Sequence, residues 1–345
     1  METKELLSRY AAGERDFSEV NLIGANLSGV NLSGANFSKA SLGSANLSRA
    51  SLRGANLNGT FLYGSDLSFA KLNEASLINA DLTKANLKGA WLVKADLQGA
   101  KLSGAILTAV NLRLANLQAV NLCGANLSNI NLHSANLIQA KLNWANLSGA
   151  RMSGAKLAGA WLNGIKLKGA WLNGVDLQGV DLDGVDLSEA KLSGTNFTKA
   201  TLTATNLSEA QMRVAILSQV NLHAANLNGT VLTKANLSRA NLSKADLSDA
   251  NLREANLSEA NLNGATLLET NLSKANLNHA YLWAAKLDVA DLSEANLNGA
   301  SMRGASLNDA DLHNASYSPE TLFPEGFDPT ESGAYLTASE IRLAA

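Results

Sequence analysis

From Phe17 to Tyr317 an apolar side chain recurs at every fifth position without a slip, at 61 positions in all. This residue, here called the centre, is Leu except at Phe17, Phe37, Phe197, Met152, Met212, Met302 and Tyr317. No regular element accommodates such a period. On an α-helix five residues advance the side chain by about 500°, so successive centres scatter around the axis. On a flat strand each five-residue step reverses the face, which places half of the leucines in water. The chain must therefore bend once per repeat and keep the centre pointing inward at every bend. The residue two before the centre, as in Ala25, Ala35 and Ala45, must also point inward, and it is small because the corner is tight. Glycines such as Gly24, Gly29 and Gly34 fall two after the centre, where a turn calls for them.

A second, slower period sets the number of sides. The residue just before the centre is mostly Asn in alternate repeats (Asn26, Asn36, Asn46, Asn56, Asn86, Asn116, Asn126). In the repeats between, it varies freely (Ser41, Phe61, Lys71, Trp91, Lys101, Lys141, Arg151, Trp161, Trp171, Tyr281). A 15-residue, three-sided coil mixes the two classes on every face. A 20-residue, four-sided coil separates them and places the variable residues on two opposite faces. Four sides are expected.

The phrase Ala25-Asn26-Leu27-Ser28-Gly29, repeated over about 300 residues, resembles the pentapeptide-repeat family, and the flanking segments are similar to those of its cyanobacterial members. The resemblance implies an all-β fold, a right-handed quadrilateral β-helix with four repeats per coil and about 15 coils. Residues 1–14 are expected to form a helical cap, 15–317 the β-helix and 318–345 a C-terminal cap and tail. Leu6, Leu7, Tyr10 and Ala11 form one apolar face of a helix over residues 2–12, which Gly13 stops. Such a helix suits the exposed first coil of a solenoid. At the other end Ser318-Pro319-Glu320 reads as a helix start, and all three prolines lie beyond the array. Leu322, Phe323 and Phe327 are expected to cover the open end, and the residues from about Glu331 to form a loose helix or to be disordered.

Little in this pattern carries chemistry. The glycines form no phosphate-binding loop. His133, His223, His279 and His313 stand apart from one another and from any cysteine, so no metal site is expected. Cys123, the single cysteine, excludes an internal disulfide and reads as an outward free thiol. The serines recur in the slot after the centre, where they serve turns. A narrow coil filled by leucine leaves no pocket of enzyme size. The expectation is a protein without catalytic activity and without a cofactor. No stretch of about 18 apolar residues spans a membrane, and no signal-peptide core opens the chain. A reducing, cytoplasmic location is expected.

Charge is unevenly distributed. Residues 1–172 hold 17 Lys and Arg against 9 Asp and Glu, whereas residues 173–345 hold 11 against 21. No acid occurs between Asp96 and Asp176. That window contains Lys101, Arg113, Lys141, Arg151, Lys156, Lys166 and Lys168. If residues 20 apart are neighbours, Lys156 faces Asp176 and Lys166 faces Asp186. Two columns also form, Lys141–Trp161–Asp181 and Arg151–Trp171–Lys191, with Trp144 near the first. Trp and Arg are common interface anchors, so Lys141, Trp144, Arg151, Trp161, Trp171 and Lys191 are the candidate partner-binding residues. Alternatively, the aromatics shield ladder edges and the charges keep the surface soluble.

The leading functional expectation is a protein-interaction scaffold or regulator whose partner is an unidentified protein. Some members of the family resemble duplex DNA and bind type II topoisomerases, but that role calls for a strongly acidic rod, and here the centre is basic. Polyanion binding through the basic belt is the other alternative, and the spread of its seven cations over several faces argues against it. The opposite charges of the two halves permit a homodimer.

Overall fold

A computed structural model describes residues 1–337. The chain forms two compact units, Met1–Val175 and Asp176–Ala345.

The same construction fills both. The residue before each centre pairs in parallel with the residue 20 positions on, as in Asn21 with Ser41, Asn26 with Asn46 and Asn31 with Ser51 in the first unit. In the second unit Asn221 pairs with Asn241 and Asn226 with Asp246 in the same way. One circuit of chain therefore takes 20 residues, four pentapeptides, as the alternation of Asn and variable residues implies. Strand geometry is confined to a single pair per side, because the chain turns immediately afterwards.

The hydrogen bonding of one repeat explains why five residues suffice. The centre donates to the next coil (Leu22 N–H to Ser41 C=O, 2.7 Å), and so does the second residue after it (Gly24 to Gly43, 2.9 Å). The residue before the centre donates to the preceding coil (Ser41 N–H to Val20 C=O, 2.9 Å). The third residue after the centre closes a turn onto the centre's own carbonyl (Ala25 to Leu22, 3.0 Å). Four of the five amides thus find backbone partners. The fifth, one after the centre, is taken by the side chain of the Asn or Asp just before the centre. Examples are Ser38 N–H on Asn36 Oδ1 (3.1 Å) and Ser48 N–H on Asn46 Oδ1 (3.0 Å). A buried amide without a partner is costly, so this Asx turn accounts for the preference for Asn. The serine beside it often donates its hydroxyl to the same oxygen, as Ser48 does at 2.7 Å.

Every centre from Phe17 to Leu312 is buried, most with no measurable exposure, and Tyr317 is half-buried. The residue two before the centre is buried with them, as Ala35 and Ala45 are, although Ala25 in the first coil is only half-buried. Where that corner is Thr, the hydroxyl is satisfied within the wall: Thr60 donates to Phe37 C=O (2.8 Å) and Thr205 to Leu182 C=O (2.9 Å). Threonine can replace alanine inside because its polar atom reaches a carbonyl.

The second residue after the centre is left-handed whether or not it is glycine. Gly24 has φ +66°, but Glu19, Lys39 and Trp144 stand at 59°, 58° and 57°. The glycines seen in the sequence are a subset of a conformation imposed on every repeat.

At the start, α1 (Thr3–Ala11) buries Leu6 completely over the first coil. Tyr10 donates its hydroxyl to Ser33 C=O (2.9 Å), and Phe17 stacks on Phe37 with centroids 5.6 Å apart. The other end differs from expectation. No helix starts at Ser318: the segment is a turn, in which the Ser318 hydroxyl bonds Glu320 and its amide donates to Thr321 Oγ1 (3.0 Å). The reason is that the chain still has a ladder to serve. Leu322 pairs with Ser301, and β1 (Ser316–Tyr317) pairs in parallel with β2 (Tyr335–Leu336), so the coil pattern continues past the last repeat. Phe323 meets Tyr317 edge-on (5.3 Å) and stacks on Phe327 (5.5 Å), whereas the Leu322 side chain is exposed and contributes through its backbone. The expected loose tail from Glu331 lies partly outside the described residues. Among the described residues no helix is long and apolar enough to cross a membrane.

Candidate interaction surface

Every outward position in this fold is set by the register. The residue before the centre stands on a flat side, and the second residue after it projects from a corner. Lys141, Arg151, Trp161 and Trp171 are all residues of the first kind. Backbone pairing joins Lys141 to Trp161 and Arg151 to Trp171. The side chains follow: Lys141 Nζ lies 5.3 Å from the Trp161 ring centroid, and Arg151 Cζ lies 5.9 Å from that of Trp171. Both indoles remain open, 55% and 47% exposed. Each cation–π contact of this exposed kind contributes about 0.5–1 kcal/mol, too little to make the fold depend on it. The upper two members of each expected column are therefore together.

Trp144 belongs to the corner set. Its indole lies on Gly164, where an added Cβ would meet Cδ1 at 2.6 Å, and 70% of the residue stays exposed. Phe69 on Gly89 repeats the arrangement, so a bulky corner residue followed 20 positions later by glycine is a packing signature. Lys191 lies in the second unit, where its backbone pairs with Gln211. Asp176, Asp181 and Asp186 also belong to that unit.

The structure adds two residues that the sequence reading left aside. Arg113 and His133 stand one after their centres, 20 apart, on the side that carries Arg151 and Trp171. With Asn131 and Ser153 they line a cleft of about 310 Å³. On the other flank of Arg151 and Trp171 runs a groove of about 410 Å³, floored by Ala109, Asn129 and Gly149. The groove exists because those corner residues are small or short. His133 looked solitary only because its neighbours lie about one coil away. Reading the sequence in steps of 20 would have found it.

Elsewhere several surface charges are paired. Arg239 makes a two-pronged bond to Glu259, both contacts 3.0 Å. That hydrogen bond and the guanidinium charge hold the Glu259 carboxyl below the usual carboxylate range. Lys234 meets Glu254 at 3.2 Å and Lys274 meets Glu294 at 3.3 Å. Among the described residues no group of His, Cys, Asp and Glu has the arrangement of a metal site, and Cys123 is a half-buried free thiol.

Comparison with known proteins agrees with this construction. The family model "Pentapeptide repeats" matches overlapping segments from residues 16–54 to 285–316. The chain belongs to the pentapeptide-repeat family. Among solved structures it is similar to HetL of the cyanobacterium Nostoc sp. strain PCC 7120, a pentapeptide repeat protein involved in heterocyst differentiation regulation. Identity there is 31%, over 91% of this chain and 96% of HetL, with a TM-score of 0.19. It is also similar to alr5209 of Nostoc PCC 7120, 37% identical over 30% of this chain and 84% of that one (TM-score 0.23). A third similarity is to QnrB1, a plasmid-mediated fluoroquinolone resistance protein, 15% identical over 67% of this chain and 92% of that one (TM-score 0.28). No curated protein matches.

Proposed function

We propose that this pentapeptide-repeat protein is a non-catalytic interaction scaffold or regulator that recognises a partner protein through the two sides that bear Lys141 with Trp161 and Arg151 with Trp171. We also propose that its coils have the right-handed quadrilateral form that the family resemblance implies, which the 20-residue parallel register supports. The observation that carries the functional reading is the pair of cation–indole contacts, one on each of the two variable sides, with the Arg151–Trp171 contact flanked by a cleft and a groove. Half-exposed tryptophans held in place by their own coil are preorganised anchors, since little rotamer freedom is lost on binding.

Mimicry of DNA is disfavoured by the balance of charge in the first unit, where 17 Lys and Arg stand against 9 Asp and Glu. Affinity capture with the full chain as bait tests the proposal. A defined protein is retained by the wild type, and Trp161→Ala with Trp171→Ala weakens retention while the circular dichroism stays the same. Equal retention by both forms would refute it.

A further inference from the structure

We propose that the basic groove of the Met1–Val175 unit docks a second copy of this chain, which presents the acidic corner of its Asp176–Ala345 unit. The inference rests on the reading of this side as an interaction surface and names its partner. The groove is recessed where corner residues are Ala109, Asn129 and Gly149, and Arg151 and Trp171 form its raised edge. Arg113 extends the positive side beyond that edge. Among the described residues neither Arg113 nor Arg151 enters an ion pair, whereas Arg53, Arg239 and Arg253 each meet a carboxylate.

The matching surface is in the same register. At whole-coil steps from the groove's corner positions, the second unit carries Glu209, Asp249, Glu269 and Asp309, all exposed. None of the four is in an ion pair among the described residues, and Asp249 accepts a hydrogen bond from Asn228 Nδ2 (3.3 Å). Val289 interrupts the row, 56% exposed. Thus the corner that is hollow and edged by arginine in one unit projects and is acidic in the other.

Stacked coils give both surfaces the same rise, about 4.8 Å per step. Arg113 and Arg151 are about two coils apart, as Glu209 and Asp249 are, so the spacing of charges matches without adjustment. The first unit holds 17 Lys and Arg against 9 Asp and Glu, and the second 11 against 21, which steers one onto the other.

Sedimentation equilibrium of the full chain across salt concentrations tests this. Concentration-dependent association is expected at low ionic strength and its loss near 1 M salt, where the screening length falls to about 3 Å. Arg113→Glu with Arg151→Glu weakens association about tenfold or more, and so does Glu209→Lys with Asp249→Lys; combining the two sets restores it. Far-UV circular dichroism confirms that these surface variants fold. A chain that is monomeric at every salt concentration, or an association indifferent to both charge reversals, overturns the proposal. If the chain stays monomeric but binds a poly-glutamate peptide through Arg113 and Arg151, the second copy is the wrong occupant while the interaction surface stands.

Discussion

The fifth amide of each repeat decides which side chain can precede the centre. Asn116 shows the full set of duties. Its Oδ1 accepts Gln118 N–H (3.3 Å) and Asn136 Nδ2 (3.1 Å), and its own Nδ2 donates to Asp96 (3.0 Å). Asn116→Ala is expected to cost about 1–3 kcal/mol in chemical denaturation, the range for leaving buried partners unsatisfied. Asn116→Asp retains the turn acceptor but sets a second carboxylate against Asp96 in place of the Nδ2 donor, so it should destabilise as well, and more at neutral than at acid pH. At some positions that are not Asn or Asp the amide is rescued from the coil before: Asn58 Oδ1 accepts Ile78 N–H (2.9 Å), and Asn73 Oδ1 accepts Val93 N–H (3.0 Å), which frees position 91 to be Trp. The sequence displayed the Asn preference openly but not what permits its exceptions, because the rescue connects residues 20 apart. Glycines separate in a similar way. Gly169→Ala, with open space around it and φ +63°, should cost about 1–2 kcal/mol from backbone strain alone. Gly164→Ala should cost more, since Trp144 occupies the space, and the excess should vanish in a Trp144→Ala background.

At the scale of the coil, stability comes from stacked leucines and from ladders that any partnered side chain can join. Leu227, fully buried, is expected to lose about 2–5 kcal/mol on replacement by Ala. The Arg239–Glu259 pair acts at the corner and is exposed, so its effect is small and depends on pH. The folded state lowers the Glu259 pKa, so its contribution is present above the ordinary carboxylate range and is lost as pH falls through the lowered value. The difference in melting temperature between wild type and Glu259→Gln should therefore shrink to zero in acid. The ladder also explains why the C-terminal end departs from expectation. Ser318-Pro319-Glu320 has the composition of a helix start, and local preference there yields to the unpaired amides of Met302 and Leu297, which take Leu322 and Ser316 as acceptors. Nothing in the local sequence announces that demand, whereas α1 was legible because its apolar face is contained within one segment.

Across the whole molecule, pattern and specificity separate. The period of five and the alternation of ten were enough to read the repeat and the 20-residue circuit, since every repeat states them again. The surface was legible only where a residue broke the pattern: Lys141, Arg151, Trp161 and Trp171 stood out, while Arg113 and His133 joined the side of Arg151 and Trp171 only once coils were stacked. Scaffold positions are interchangeable along the chain, so recognition has to reside in the exceptions. Site-specific photo-cross-linking tests that most directly, with p-benzoylphenylalanine placed at position 161 or 171 and, for comparison, at Lys88 on an Asn-built side of the same unit. Adducts to a protein are predicted from 161 and 171 and not from 88. Adducts of equal yield from all three positions, or from 88 alone, would contradict the assignment of these two sides as the interaction surface.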